Sequence, residues 1–161
     1  MKKTTSIIIG IIVIVLLAVV WMSSNRESAG VQNSSEDIGN AIEKRDIIRV
    51  TTPSPGEVIR SPLTIKGEAR GGWFFEANFP ITLVDSAGIV IAQHYGTAQG
   101  DPANPDGVNW MTEEFVPFEA ILTFENPIST TDKKGTLILH KNNASGLPEN
   151  DENLVVPIFF E

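Results

Sequence analysis

The chain has 161 residues, with 12 Lys and Arg, 20 Asp and Glu, and no cysteine. This length fits one folded domain of about 100 to 150 residues with additional segments, and it leaves no room for two independent cores of ordinary size. The acidic balance excludes the usual nucleic-acid binding proteins, which neutralise phosphates with Lys and Arg, and the lack of cysteine excludes disulfides, thiolate metal sites and cysteine nucleophiles.

The first predicted element is a transmembrane helix within residues 1–22. Residues 7–22 read IIIGIIVIVLLAVVWM without a charge, and two lysines precede the run. Starting from Thr4, the segment has close to the roughly 20 residues that cross a bilayer as a helix. Basic residues favour the cytoplasmic side of a membrane. We therefore expect an anchor helix over residues 4–22 with a cytoplasmic N-terminus, in a single-pass protein whose domain is extracytoplasmic.

A cleaved signal peptide is the alternative interpretation of the same run. Signal peptides have an apolar core of about 7 to 15 residues, followed by small residues at the cleavage site. This run is longer, and its end reads AVVWM, with bulky residues where cleavage needs small ones. The anchor is therefore favoured, and secretion after cleavage is the alternative.

The second predicted segment is a flexible linker over residues 23–46. It reads SSNRESAGVQNSSEDIGNAIEKRD, which is rich in Ser, Asn and Glu and poor in large apolar side chains. Such a composition buries too little apolar surface to fold by itself. Ile38 and Ile42 are four residues apart, so one short helical turn is expected near residues 38–44 at most.

Residues 47–161 are predicted to form an all-β domain, an immunoglobulin-like antiparallel β-sandwich of about seven strands. Short runs rich in Val, Ile, Thr and Phe alternate with segments rich in Pro, Gly, Asn and Asp, which is typical of such sandwiches. The predicted strands are residues 47–51, 63–69, 79–84, 89–95, 115–124, 136–140 and 154–160.

Turn and breaker residues divide these strands. The segment Asp85-Ser86-Ala87-Gly88 predicts a hairpin between the third and fourth strands. Proline donates no ladder hydrogen bond, so Pro117 and Pro157 inside predicted strands indicate sheet edges or bulges. Residues 98–110 read AQGDPANPDGVNW and are predicted to be a long loop.

The sequence offers only weak candidates for metal ligands. His94 and His140 are the two histidines, and both lie in predicted strands without the spacing that brings zinc ligands together. Asp101 and Asp106 flank a loop where calcium ligands are one interpretation and solvated turns are the other. The loop lacks the alternating acidic pattern of a calcium-binding loop, so no metal site and no cofactor are predicted.

Catalytic motifs are similarly weak. The chain has no G-x-S-x-G motif around a serine nucleophile, and Glu113 and Glu114 are adjacent, so on a strand they point to opposite faces. The protein is therefore predicted not to be an enzyme. The alternative is a carbohydrate-acting enzyme or carbohydrate-binding module that uses Trp110 and the acidic loop residues, namely Asp101, Asp106, Glu113 and Glu114.

The aromatic residues are expected mainly in the core. The spacing of seven of them fits the inward positions of two facing sheets; these are Phe75, Phe79, Phe115, Phe118, Phe124, Phe159 and Phe160. Trp73 and Trp110 have a second interpretation, as an exposed apolar surface for a partner. These two tryptophans are the candidate interaction residues.

Residues 48–160 resemble the immunoglobulin-like domain of bacterial spore germination proteins. The matching stretches are IRVTTPSPGEVIRSPLTIKGEA, GGWFFEANFPITLVDSAGIVIA, WMTEEFVPFEAILTF and GTLILHKNNASGLPENDENLVVPIFF, about two-thirds of the chain in all. The resemblance implies an immunoglobulin-like sandwich found in bacterial cell-envelope proteins, often beside a second germination-related module. It brings no catalytic residue.

These features together predict a noncatalytic, membrane-anchored protein of the cell envelope. Its immunoglobulin-like domain is expected to bind an envelope protein or a cell-wall component through loops or exposed strand edges. Nucleic acid is not expected as a partner, and the membrane is contacted through the N-terminal helix. The link to spore germination comes from the resemblance alone.

Overall fold

The computed structural model describes Asn40 and residues 43–100, 109–126 and 132–161. The predicted transmembrane helix lies outside these residues, as does most of the predicted linker. Within the described part of the chain, no helix has the length and apolar character that crossing a membrane requires.

Within the described residues, the domain has eight β-strands, which confirms the prediction of an all-β fold. They are β1 (Ile48–Thr52), β2 (Val58–Ile59), β3 (Leu63–Arg70), β4 (Asn78–Asp85), β5 (Val90–Ala98), β6 (Phe115–Leu122), β7 (Lys134–His140) and β8 (Asn153–Phe160). Each predicted strand corresponds to one of these. The strand missing from the prediction is β2, because two residues are too few to show an alternating pattern.

The strands join edge to edge in the order β1-β3-β6-β5-β4-β7-β8-β2. Neighbours are antiparallel except β2 and β8, which are parallel. β3 and β6 pair along their full length, whereas β5 and β6 share only two paired positions. The sheet therefore divides there into a first half, formed by β1, β3 and β6, and a second half, formed by β5, β4, β7, β8 and β2.

The two halves fold over each other and enclose the core. The rings of Phe79 on β4 and Phe118 on β6 have centroids 4.9 Å apart, although β5 separates the two strands in the sheet order. Similarly, Phe124 after β6 and Phe160 on β8 have ring centroids 5.9 Å apart. Such contacts between distant strands are made across the interior of a sandwich.

Alternation along each strand determines which side chains enter the core. On β4, Phe79, Ile81 and Leu83 are fully buried, and the residues between them face outward because successive strand residues point to opposite faces. Gly96 on the neighbouring β5 leaves space for the Phe79 ring, since a Cβ at this position would lie 2.5 Å from Phe79 Cζ.

The structure corrects part of the predicted aromatic core. Phe79, Phe118, Phe124 and Phe160 are buried as expected. Phe159 is 39% exposed because it neighbours Phe160 on a strand and must face the other way. The others that differ are Phe75, which is 44% exposed, and Phe115, which is half-buried.

The two strand prolines are also placed differently from the prediction. Pro117 lies on β6 between β3 and β5, and Pro157 lies on β8 between β7 and β2, so neither strand is at a sheet edge. The carbonyl of Pro117 accepts a hydrogen bond from Gln99 N, just past the end of β5, and that of Pro157 accepts one from Gly56 N, before β2 begins. Each proline therefore lies beside one terminus of a neighbouring strand, β5 for Pro117 and β2 for Pro157. The N–H group that proline lacks thus interrupts no continuous ladder of hydrogen bonds with that strand.

The two outward surfaces of the sandwich differ in charge. On the first half, Arg49 pairs with Glu68 at 3.0 Å and Lys66 with Glu119 at 3.2 Å. The outward residues of β4, β5, β7 and β8 form a surface that we call the neutral face, with one charged residue, Lys134, among sixteen: Asn78, Pro80, Thr82, Val84, Val90, Gln93, Tyr95, Thr97, Lys134, Thr136, Ile138, His140, Asn153, Val155, Pro157 and Phe159.

Candidate functional site

One end of the sandwich collects three loops and the segment that leads into β1. The first residue of β1, Ile48, pairs with Ala69 near the end of β3, and Arg70 pairs with Phe115 at the start of β6. Because neighbouring strands here are antiparallel, the loops that follow β3, β5 and β7 lie at the same end. We call this the entry end, since the chain enters the domain there.

The entry end carries an open groove of about 450 Å³, which we call the entry groove. Its walls combine apolar and charged side chains from four separate segments: Ile47, Arg70, Gly72, Trp73, Thr112, Glu113, Lys141 and Glu152. A concave surface with an apolar base and a few polar groups is typical of a binding site.

Trp73 forms the apolar base of the entry groove. It ends a short 3-10 turn, Gly71–Trp73, and its side chain is completely buried. Gly71 brings this turn against the loop before β6, because its N–H donates to Thr112 O at 3.0 Å and an added Cβ would collide with the carbonyls of Trp110 and Thr112. The buried Trp73 Nε1 has no hydrogen-bond partner among the described residues.

The two candidate tryptophans occupy different environments. Trp73 belongs to the core, so its side chain is not part of an exposed surface. Trp110 is half-buried and packs against the core beside the Gly71 turn, whereas the adjacent Met111 is 75% exposed. An interaction role remains a prediction for both residues. Trp110 would contact a partner directly, whereas Trp73 would act only as the base of the groove in which a partner binds.

Arg70 is fixed at the rim of the groove by neutral partners. Its Nε donates to Asp46 O at 2.6 Å, and its Nη1 donates to Glu113 O. The guanidinium also lies 4.6 Å from the centroid of the Phe115 ring. Backbone carbonyls and an aromatic face hold a guanidinium without neutralising its charge, so Arg70 remains able to bind an anionic group.

Glu152, which also lines the groove, joins two segments. Its carboxylate lies 2.6 Å from Lys44 Nζ and 2.9 Å from Lys141 Nζ. Hydrogen bonds from Lys44 and then from Lys141 lower the pKa of Glu152 below its ordinary value, and partial burial opposes them only in part. The ion pairs connect the segment before β1 to the loop between β7 and β8.

Asn40 makes a second connection in the same region. Its side chain accepts a hydrogen bond from Val155 N at 3.0 Å and donates one to Asn153 O at 3.2 Å. One side-chain amide thus satisfies a donor and an acceptor on the edge of β8, as a neighbouring strand would. Asn40 and Lys44, from the segment predicted as linker, therefore both bond to the β-domain.

The acidic residues of the groove do not suit acid–base catalysis. A general acid at neutral pH needs a raised pKa, whereas the pKa of Glu152 is lowered. Glu113 is exposed at the groove, next to the exposed Glu114. Asp101 and Asp106, the other predicted acidic residues, lie outside the described residues, so their convergence with Glu113 is not observed.

Neither histidine lines the entry groove. His94 is exposed on β5, while His140 on β7 has its Nε2 3.0 Å from Thr82 Oγ1 and its Nδ1 2.7 Å from Asn153 Oδ1. The order hydroxyl, imidazole, amide resembles a catalytic arrangement, but Thr82 is only 7% exposed and does not line the groove. Within the described residues, no three His, Cys, Asp or Glu side chains are grouped to hold a metal.

Sequence reasoning missed the charged part of this site. Lys44 and Glu152 are 108 residues apart, and neither lies in a motif whose spacing predicts the contact. Arg70 is the last residue of β3 and reads in the sequence as an ordinary solvated strand residue. The packing of segments that are distant in the sequence brings these groups together.

Comparison with known proteins identifies the family of the domain. A family model described as the immunoglobulin-like domain of bacterial spore germination matches residues 47–146. This range is more than half of the chain and extends from the start of β1 to the loop after β7. No curated protein and no solved structure matched the chain.

Proposed function

Because the chain belongs to the family of the immunoglobulin-like domain of bacterial spore germination, we propose that it is a noncatalytic cell-envelope protein that binds a protein or a cell-wall component. The observation that carries the proposal is the entry groove, which four separate segments build over a buried tryptophan. Loops on a rigid sandwich are the usual location of binding sites in such folds.

The chemistry of the groove favours binding over hydrolysis. Ile47 provides apolar contact above the buried Trp73, while Arg70 and Lys141 provide charged donors. Glycoside hydrolysis needs two converging carboxyl groups about 5 to 10 Å apart, one of them with a raised pKa. Glu113 and Glu152 are the carboxylates that line the groove, and Glu152 is held ionised by two lysines. The carbohydrate-acting alternative therefore has weaker support than a binding role.

The membrane anchor is the second part of the proposal. The uncharged run over residues 7–22, with two lysines before it, supports a cytoplasmic N-terminus and a domain outside the cytoplasm. The described residues 43–46 of the predicted linker lead into β1 at the entry end. Secretion after cleavage of the run is the alternative, and it leaves the binding role unchanged.

Gly72 provides a direct test of the groove. It lines the groove, and a Cβ added there meets no atom within 4 Å, so Gly72→Leu fills the groove without disturbing the core. We expect proximity labelling from the full-length protein in cells to enrich an envelope partner with the wild type. The enrichment should fall about tenfold with Gly72→Leu, as expected if the variant weakens the binding of the partner by at least that factor.

The matched control is Ser86→Leu, which adds the same side chain to the exposed hairpin at the opposite end of the sandwich. Both variants should melt at the temperature of the wild type. Identical partners and yields for the wild type and Gly72→Leu would contradict a binding role for the groove.

A further inference from the structure

The outer edge of β1 presents backbone groups that no neighbouring strand pairs. Among the described strands, β1 is the first in the sheet order, and it pairs with β3. Ile47 O accepts from Arg70 N on the side of β3, whereas Ile48 N donates to Lys44 O on the other side. Because residues of an antiparallel strand alternate in the edge to which their backbone groups point, the N–H and C=O of Val50 also point to the outer edge.

The two long edges of the sandwich therefore differ. Within the part of the chain that the structure describes, the outward N–H and C=O of Val50 have no backbone partner. On the edge of β8, by contrast, Asn40 bonds to Val155 N and β2 pairs with the end of the strand. Free N–H and C=O groups on a strand edge are a template for another extended segment. The outer edge from Ile48 to Val50, which we call the open edge, can thus accept an added strand.

A cleft of about 200 Å³ lies beside the open edge, between β1 of the first half and β8 of the second. We call it the edge cleft. Its apolar lining includes Ile48 and Val50 on β1 and Leu154 and Val156 on β8. Leu154 and Val156 belong to the core, so the cleft leads from the surface toward the interior. An added strand has every second side chain on this face and can place an aliphatic one in the cleft.

The charged groups of the edge cleft are basic, although the chain carries a formal net charge of −8. Arg45 and Arg49 line the cleft, and no described Asp or Glu does. Arg49 is paired with Glu68 at 3.0 Å. Arg45 is exposed and forms no ion pair with a described residue. Because a guanidinium binds carboxylates in a fork geometry, an acidic side chain of an added strand is favoured beside Arg45.

We propose that the open edge binds an extended segment of a partner protein in which apolar residues alternate with acidic ones. The main chain of this segment bonds to the outward groups of Val50, as in other cases of strand addition. Its apolar side chains enter the edge cleft, and its acidic side chains lie on the opposite face, beside the arginines, because successive strand residues point to opposite faces. The edge cleft shares no lining residue with the entry groove, so this is a second, separate binding site.

Synthetic peptides test the side-chain pattern on the full-length protein. The probe is a short blocked peptide that alternates valine with glutamate, and its control has the same residues in two blocks, so that the charge is equal and the alternation is lost. We expect saturable binding of the probe, with a dissociation constant at least about tenfold below that of the control. Equal binding of the two peptides, or of neither, would overturn the proposal.

Two matched charge reversals test the role of Arg45. Arg45→Glu should raise the dissociation constant of the alternating peptide about fivefold at low ionic strength. Arg60→Glu makes the same change in net charge at another exposed arginine, which pairs with Glu161 away from the cleft, and it should leave binding unchanged. Equal effects of the two reversals would contradict the recognition of acidic side chains by this site.

Hydrogen exchange separates strand addition from a loose electrostatic attraction. The Val50 amide should exchange at least about fivefold more slowly when the alternating peptide is bound, whereas the Arg49 amide, which points to β3, is the internal control. Gly72→Leu fills the entry groove and should bind this peptide as the wild type does, so the two sites can fail independently. An unchanged Val50 amide would overturn the proposal. So would one already protected before peptide is added, since another part of the chain or a second copy would then cover the edge.

Discussion

At the scale of single residues, Glu152 makes folding depend on pH. Lys44 and Lys141 hold the pKa of its carboxyl below the ordinary value of 4.5. Since the folded pKa lies below that of the unfolded chain, the two ion pairs stabilise the fold above about pH 4.5, and this contribution is lost as the pH falls through the folded pKa.

The corresponding measurement compares thermal unfolding of the wild type and Glu152→Gln. Between about pH 5 and about pH 3, the melting temperature of the wild type should fall more steeply than that of the variant. For partly exposed ion pairs we expect about 0.5 to 1 kcal/mol between the two proteins at neutral pH. Parallel curves would show that the ion pairs contribute nothing to stability.

The two tryptophans should differ strongly in their effect on stability. Trp73→Ala removes a fully buried side chain and should destabilise the domain by about 3 to 5 kcal/mol. Trp110→Ala removes a half-buried one, and about 1 to 2 kcal/mol is expected. Urea unfolding measures both values, and an equal cost for the two variants would contradict the burial described here.

Alternation predicted the burial of several of these residues but not all of them. It placed Phe79 and Phe118 inward correctly, because the face of a strand is fixed by a period of two. It was wrong in assigning both Phe159 and Phe160 to the core, since adjacent strand residues cannot share a face. The contact of Lys44 with Glu152 depends on the packing of distant segments, which a local pattern does not contain.

At the scale of elements, the edge of β8 shows how an irregular segment completes a sheet. The Asn40 side chain hydrogen-bonds to the backbone of Asn153 and Val155. Further along the same edge, Gly56 N donates to Pro157 O and Phe159 N donates to Glu57 O, and β2 pairs with the end of β8. An open strand edge invites pairing with other chains. The covered edge of β8 is therefore protected from that pairing.

Hydrogen exchange can measure the contribution of Asn40. In Asn40→Ala, the Val155 amide loses its acceptor, and its exchange should become about fivefold faster or more. The Phe159 amide, which donates to Glu57 O, is the internal control and should not change. Unchanged protection at Val155 would mean that another group covers this edge.

Strands were the most predictable elements. The seven predicted runs of alternating residues correspond to seven of the strands. The hairpin over Asp85 to Gly88 was predicted from its turn-forming residues, and in the structure Asp85 Oδ1 accepts hydrogen bonds from Ala87 N and Ile89 N. The roles of Pro117 and Pro157 were not predictable, because strand order is set by contacts between remote segments. The groove was unpredictable for the same reason.

At the scale of the whole molecule, the sandwich has one end with a groove and two outward surfaces that differ in charge. The first half presents ion pairs to solvent, the second presents the neutral face, and the entry end presents the groove. Membership in the germination-related family accounts for the fold, while the binding role that we propose depends on the groove.

The central claim is that the N-terminal apolar run holds this domain outside the cytoplasm. Its most direct test is Ser86→Cys, which places the sole thiol of the full-length chain on the exposed hairpin. A membrane-impermeant maleimide should label this cysteine in intact cells, and the labelled chain should sediment with membranes at full length. Labelling only after lysis, with the intact chain in the soluble cytosolic fraction, would contradict the account.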